Sequence, residues 1–477
     1  MAITREIIKD VVSDVVERIE GCRGVGSGDE KRKTLTEAKL TLDVVKSMSS
    51  GAFRRGDGGL WIYTGKKYEF LEERDIESVV SEILKSLEVG QVYQVNSVSV
   101  IKKMAVIDMG FKNFSPKLRY LGMNNGVLDL DEGILKEFSS ELESRVSLAV
   151  DYDANAKCPL WEKFLVEVIG EKESIMVLQE FLGLVFVDKR MFHVETMLYL
   201  FGYGANGKGV VYDLIHYILG ANCSSYSLQQ LCTHQNSDYY TAEANGKLLN
   251  FCSDMGDQDF SGGRYKQLVS REPISVRPIG RAPFEARDMP LLAANINKLP
   301  VTSDSSDGHW RRSKIIVFSK TFSEKEQDKT LKEKIKRETS GIFNWIMRGR
   351  ERLIQNKGQF TDSGVIRETV ENARIDSNST LAWMQDRGYY SFSKLPEGAA
   401  YDVVMDFTSN FYQDYTEFCK HVGSMSKKQS NFLQDLNQAG IRSLKSMRRG
   451  DKVTSGREFY VLQKKEKEID KMEDLPF

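Results

Sequence analysis

The feature that most constrains this chain is a glycine-rich interruption between two apolar runs, Leu198–Gly220, LYLFGYGANGKGVVYDLIHYILG. Its periodicity gives strand, loop and helix in that order. The spacing from Gly202 to Gly207-Lys208 is GxxxxGK, the Walker A pattern. Glycines let such a backbone curl until successive N–H groups face phosphate oxygens, and the following helix adds its positive end. Lys208 would place a cation between the β- and γ-phosphates. The candidate nucleotide cradle is therefore Gly202, Gly204, Ala205, Asn206, Gly207, Lys208, Gly209 and Val210, with ATP and Mg²⁺ as its cofactors. Gly209 departs from the pattern, since a Mg²⁺-ligating hydroxyl normally stands there.

The remaining totals narrow the setting. The 477 residues suffice for roughly two to four domains. Sixty-seven basic residues against sixty-eight acidic ones exclude a uniformly basic nucleic-acid binder, so any such surface is local. Six scattered cysteines without a CxxC pair read as a reduced protein lacking structural zinc. The charged, helix-period N-terminus has no signal-peptide core, and no apolar run approaches a membrane span. The isolated histidines read as bland.

Taken in order, residues 1–50 read as mostly helical, Leu60–Tyr68 as a hairpin turning at Gly65, and 72–87 as a helix. An Asn-Gly turn signal precedes Val127–Leu130. Asp129 and Asp131 can be read as the acidic pair of a nucleotidyl-transfer site, which would make the region a primase, or as a plain strand end. Pro159–Val187 is amphipathic and should form helices against the nucleotide domain. Gly246–Asp254 reads as a strand ending in an acid, followed by Asp257 and Asp259. Asp254 is the candidate metal-side carboxylate.

Ser275–Glu285 reads as a hairpin with Arg277 and Arg281 near its tip. Met289–Pro300 is an apolar strand ending in asparagines, and Trp310-Arg311-Arg312 precedes another strand at Ser313–Phe318. Alternating strands and helices argue for a parallel sheet covered by helices. A charged helix is expected at about 324–337, and 356–378 resembles a linker. A second periodic region runs from 379, with a helix at 426–436 and a two-stranded wing at Ile441–Leu462. The wing is basic, with Lys445, Arg448, Arg449 and Lys452 as candidate DNA contacts through phosphates. The tail from Lys464 reads as disordered.

In this order, Gly-x-Gly-x-Asn-Gly-Lys at 202–208, the strand acid at 254, the arginine hairpin at 275–285, Asn-x-Leu-Pro at 297–300 and Trp-Arg-Arg at 310–312 resemble a known helicase. It is that of phage, plasmid and poxvirus replication proteins, the superfamily 3 branch of the AAA+ ATPases. The likeness covers residues 120–465. It implies an α/β AAA+ P-loop core at 191–350, a helical collar-like region at 119–190, a winged-helix-like DNA-binding domain at 375–465, a mainly helical accessory region at 1–118 and a tail at 466–477. It further implies an ATP-hydrolysing DNA helicase for a phage or mobile element. Such a helicase would act as a homo-oligomeric ring, a hexamer by resemblance. Its partners would be single-stranded and forked DNA with other replication proteins, in a bacterial host cytoplasm and away from membranes. By the same resemblance Lys208 holds phosphates and Asp254 takes the Walker B place. Asn297, or Asn295 in the alternative register, orients water, while Arg312, or Arg311, is the arginine finger. Arg277 and Arg281 then line the central channel. Rival readings are an origin-binding initiator that uses ATP for assembly, a bifunctional primase–helicase, and a small-molecule P-loop kinase.

Overall fold

Runs such as MLYLF and LLAANI lack polar alternation, so a strand built from either must be covered on both faces. The computed structural model, which describes residues 11–19, 37–56, 59–87, 99, 101, 112–114, 118–255, 262–280, 282–299 and 307–463, places them accordingly. Five strands form the central sheet: β1 (Met197–Phe201), β2 (Cys223–Ser224), β3 (Leu249–Cys252), β4 (Leu291–Ile296) and β5 (Ser313–Val317). Their order is β2-β3-β4-β1-β5, parallel at every pairing.

Successive side chains alternate between two apolar layers. Leu198 and Leu200 enter one, with Leu291 and Ala293, while Met197, Tyr199 and Phe201 enter the other, with Leu292, Ala294 and Ile296. The first layer is closed by four helices, Pro159–Val168, Lys172–Leu184, Lys208–Leu219 and Thr339–Gln355. Within it, Trp161 packs edge-on against Trp345 at 5.7 Å between ring centres. The amphipathic reading of 159–187 thus stands as two helices.

Asp129 is fully buried on the strand Gly126–Asp129. It accepts from Arg119 at 2.8 and 3.0 Å, from Lys136 at 2.8 Å, and from the backbone N–H of Asp131 and Glu132. Arg119 and Lys136 hold its carboxyl far below the usual range against the opposing effect of burial. The Asp129 carboxylate is thus a structural clasp with its acceptor sites already taken, as the plain strand-end reading has it, whereas the Asp131 side chain is 59 % exposed.

The segment 356–378 is not a linker. Gly364–Asp376 is a helix capped by the Ser363 hydroxyl, and Ile366, Val370 and Ala373 press one face into the sheet layers. The charged helix begins later than the sequence implies, at Leu331–Lys336, because Glu326 closes back on Ser323 and Asp328 on Thr330. The N-terminal hairpin pairs Tyr63 with Tyr68 around Gly65 as read, and a third strand, Phe53–Gly56, flanks it. Beyond 379, a helix (Ser379–Asp386), a strand (Tyr401–Phe407), two helices (Thr408–His421, Gln429–Gln438) and a hairpin (Arg442–Arg449, Lys452–Leu462) surround a separate core centred on Trp383. The sequence reading runs the strand Tyr401–Phe407 together with the helix after it. The tail from Lys464 lies outside the described residues, as do Arg281, Asp257, Asp259 and Pro300.

Candidate functional site

At the carboxyl end of β1 the chain turns through Gly204, Ala205 and Gly207, all with positive φ (107°, 47° and 90°). These left-handed residues curl the loop around inward-facing backbone groups at the start of the helix Lys208–Leu219. A side chain at Gly207 would stand 2.8 Å from the Phe164 ring, and one at Gly202 would meet the Asn206 amide nitrogen at 2.0 Å. Gly207 is closed to larger residues by contact as well as by conformation, and Gly202 by contact alone.

Lys208 is buried and donates to the Gly202 carbonyl, to Asn206 Oδ1 at 3.2 Å and to Asn297 Oδ1 at 3.1 Å. Burial lowers its pKa, and the nearby Asp254 carboxylate opposes that shift. A cleft of about 790 Å³ opens over the loop, its apolar lining including Leu160, Phe164, Phe322 and Leu331. The Phe322 N–H bonds to the Ala205 carbonyl at 2.9 Å and ties that part of the wall to the loop. A parallel sheet with a cleft at the carboxyl ends of its strands is a common seat for ligands in open α/β folds.

The asparagine register resolves into two placements. Asn295 sits within β4 opposite Leu200, and its Oδ1 is buried without a hydrogen-bond partner. Asn297 lies one pleat further, past the strand end, and reaches Lys208. Both line the cleft, as does Ser253, which the sequence reading did not single out. Ser253 stands one residue before Asp254 at the end of β3, where the pattern would offer a first carboxylate. Asn206 Nδ2 is also buried without a partner. Leaving such polar atoms unsatisfied costs about 1–3 kcal/mol each.

Among the described residues no group of three or more His, Cys, Asp or Glu side chains forms a metal cage. Of the carboxylates lining the cleft, Glu167, Asp213, Glu326 and Asp328 are engaged by Lys320, Lys332, Ser323 and Lys334, which leaves the Ser253 hydroxyl in the lining and, beside it, the Asp254 carboxylate near Lys208. Such a sparse set suits Mg²⁺ brought in on phosphates, which keeps several waters and takes one or two protein ligands. The loop's own missing donor can be restored, because a Cβ at Gly209 would touch nothing within 4 Å. Gly209→Ser is expected to fold normally. It should lower several-fold the Mg²⁺ concentration at which ATP raises the melting temperature, as read by thermal shift across a Mg²⁺ titration. An unchanged titration would mean that no hydroxyl is needed there.

Arg311 and Arg312 both meet Glu195, at 2.7 and 2.8 Å. The Arg312 side chain is 11 % exposed and also donates to the Gly308 carbonyl, whereas that of Arg311 is 61 % exposed. Of the two arginines, Arg312 is held within the fold and Arg311 is the one at the surface. Both precede Ser313, which pairs with Met197 at the far end of β1 from the glycine loop. A five-residue strand separates them from their own loop by about 16 Å.

The hairpin pairs Ile274–Val276 with Phe284–Ala286 as read, with Arg277 exposed where the turn begins and Ile279 exposed at its tip. Of the basic wing residues, Lys445, Arg448, Arg449 and Lys452 are exposed, but Arg449 is paired with Asp406 at 3.1 Å. Arg457 turns inward to Asn437.

Fold and cleft define a parallel α/β domain with a lysine-bearing glycine loop. Within the chain, residues 49–170 match a protein family described as "D5 N terminal like", and residues 200–312 match one described as a family of unknown function (DUF5906). A protein of Acanthamoeba polyphaga mimivirus named a "putative helicase" is 26% identical over 259 residues, 49% of this chain and 25% of the relative. The aligned region thus spans about a quarter of that relative's length. Two solved apo structures of the NrS-1 C terminal region share 13% and 12% identity, each covering 91% of this chain and 100% of theirs. Their TM-score of 0.46 is too low to bear on fold or function. Among the described residues, no helix is long and apolar enough to cross a membrane.

Proposed function

We propose that this chain is an ATP-dependent DNA helicase of the superfamily 3, AAA+ type, working as a ring of identical copies in the replication of a phage or other mobile element. The observation that carries the reading is Lys208, buried beneath a left-handed glycine loop and bonded across the sheet to Asn297. The name of the mimivirus relative, the D5-like match and the order of motifs support the same class.

In this reading the loop N–H groups cradle the β- and γ-phosphates, and Lys208 releases Asn297 to hold them. Freed from the lysine, Asn297 Oδ1 accepts from the attacking water and orients it, with Asn295 behind it. When bound, Mg²⁺ held by Asp254 and Ser253 supplies charge neutralisation between the phosphates. Arg311 cannot reach its own loop, so it serves the loop of an adjacent copy, which requires a head-to-tail interface. Loss of the γ-phosphate removes that cross-subunit attraction and loosens the interface. The hairpin bearing Arg277 then shifts along the channel, gripping phosphates without reading bases. The winged-helix-like unit adds duplex or fork contacts through Lys445, Arg448 and Lys452.

The reading is tested by ATP-driven unwinding of a forked duplex. A chain that hydrolyses no triphosphate, with or without DNA, would sink it. A second reading, an origin-binding initiator using ATP for assembly, is favoured specifically by Gly209. Turnover that rises on adding single-stranded DNA separates the helicase from the initiator.

A further inference from the structure

The outer face of the C-terminal sheet is apolar where a solvated sheet would be polar. Phe459 is fully buried and pairs with Val404, which faces the same core. Tyr460 and Glu458 therefore point the opposite way, together with their partners Val403 and Met405. Tyr401, Val403 and Met405 are 39, 46 and 43 % exposed on that face, and Phe392 beside them is 63 % exposed. Phe392, Tyr401 and Tyr460 contact one another, with ring centres 5.3 to 6.2 Å apart and planes steeply inclined. The three rings brace each other into a fixed cluster, and the Tyr460 hydroxyl is anchored on Glu458. Contiguous exposed apolar surface of this kind marks an interaction site rather than a neutral surface.

The charge around the cluster identifies its occupant. Arg442, paired in register with Glu458, and Lys452, paired with Arg449, lie on the same outward face. Of the acids on these strands only Glu458 lies on that face, 6 % exposed beneath Arg442, while Asp406, in register with Arg457 on the Phe459 side, takes Arg449. Tyr460 lies eight strand positions beyond Lys452, about 26 Å of track with aromatic rings at one end and cations at the other. A protein partner would call for a rim depleted of unpaired cations, whereas exposed ring faces with a cationic rim suit unpaired bases on a phosphate chain.

We propose that this face binds single-stranded nucleic acid, with bases stacking on Phe392 and Tyr401 and the backbone running toward Arg442 and Lys452. The proposal rests on the reading of the chain as a DNA-acting protein and adds to it a strand-selective site away from the hairpin. In it the C-terminal unit prefers unpaired strands over duplex, which backbone contact by the wing alone would not produce.

The test is fluorescence anisotropy of the full chain with a labelled oligothymidylate and with a duplex of equal length, without nucleotide, over a range of salt. The double variant Phe392→Ala, Tyr401→Ala is expected to weaken single-strand binding about ten-fold or more, since stacking contributes on that scale per base. Its salt slope and its duplex affinity should be unchanged. Phe392→Tyr with Tyr401→Phe should restore binding, and Arg442→Ala with Lys452→Ala should flatten the slope by roughly 0.7 for each phosphate no longer neutralised. Unchanged single-strand affinity in the alanine pair overturns the proposal. So does loss of self-association by sedimentation in that variant, which would make the face a contact between copies. ATP hydrolysis measured without DNA reports on the helicase reading separately, so the platform can fail while that reading stands.

Discussion

Lys208→Ala is expected to lower ATP hydrolysis by at least a hundred-fold, the scale set by removing one preorganised charge from a developing anion, and to abolish unwinding. The fold should survive. Lys208 is buried with its charge disfavoured, and its partners Asn206 and Asn297 lie at a cleft open to water. The sign follows from the depressed pKa. A lysine whose folded value lies below its unfolded one costs stability at neutral pH, and that cost fades as pH rises through the folded value toward 10.5. The ligand-free variant should therefore melt no lower than the parent at pH 7. The parent, in contrast, should gain about 2.7 kcal/mol from ATP at a hundred times its Kd, and the variant almost none. Thermal shift with and without ATP reads both quantities. A variant that still hydrolyses and still gains stability from ATP would remove Lys208 from the phosphates.

Why the loop is legible in the sequence and other parts are not follows from how far each decision reaches. The loop is local: an apolar run, glycines at fixed offsets and a lysine before an amphipathic run leave few alternatives. The same is true of the hairpin around Pro278-Ile279-Gly280, whose halves pair from Ile274 to Ala286. The asparagine pair is ambiguous for a geometric reason. Residues two apart on a strand share a face, so Asn295 and Asn297 both aim at the cleft, and only the end of β4 distinguishes them. The helix Gly364–Asp376 hides because three inward positions, Ile366, Val370 and Ala373, are scattered among charges. Tyr401–Phe407 hides for the opposite reason: its apolar residues Tyr401, Val403 and Met405 lie on the solvent side and Asp402 and Asp406 on the other, the inverse of the pattern that announces a half-buried strand. Asp129 is undecidable from its neighbours in sequence, because Arg119 and Lys136 determine what it does.

The choice between Arg311 and Arg312 is the most distant of these decisions. Adjacent residues leaving a helical turn point in different directions, and Glu195, 116 positions away from Arg311, captures both. Only Arg311 keeps most of its side chain in solvent. Arg311→Ala is therefore expected to cut hydrolysis by about 10³-fold or more, the range for an arginine supplied in trans, with an unchanged melting temperature. Arg312→Ala should instead lower stability by roughly 1–3 kcal/mol, because it removes a buried donor from the Gly308 carbonyl and from Glu195. Mixing Lys208→Ala with Arg311→Ala subunits provides the decisive readout. Each copy lacks one half of a site, and the halves meet only across an interface. In a head-to-tail ring assembled at random from equal amounts, roughly a quarter of the interfaces join an intact loop to an intact arginine. Hydrolysis should recover toward that fraction from two inactive preparations and peak near equal mixing. Arg312→Ala subunits should support no comparable peak, since their Arg311 is already in place. If no ratio of the first pair restores turnover, the loop and Arg311 do not share a site, and the ring mechanism falls with them.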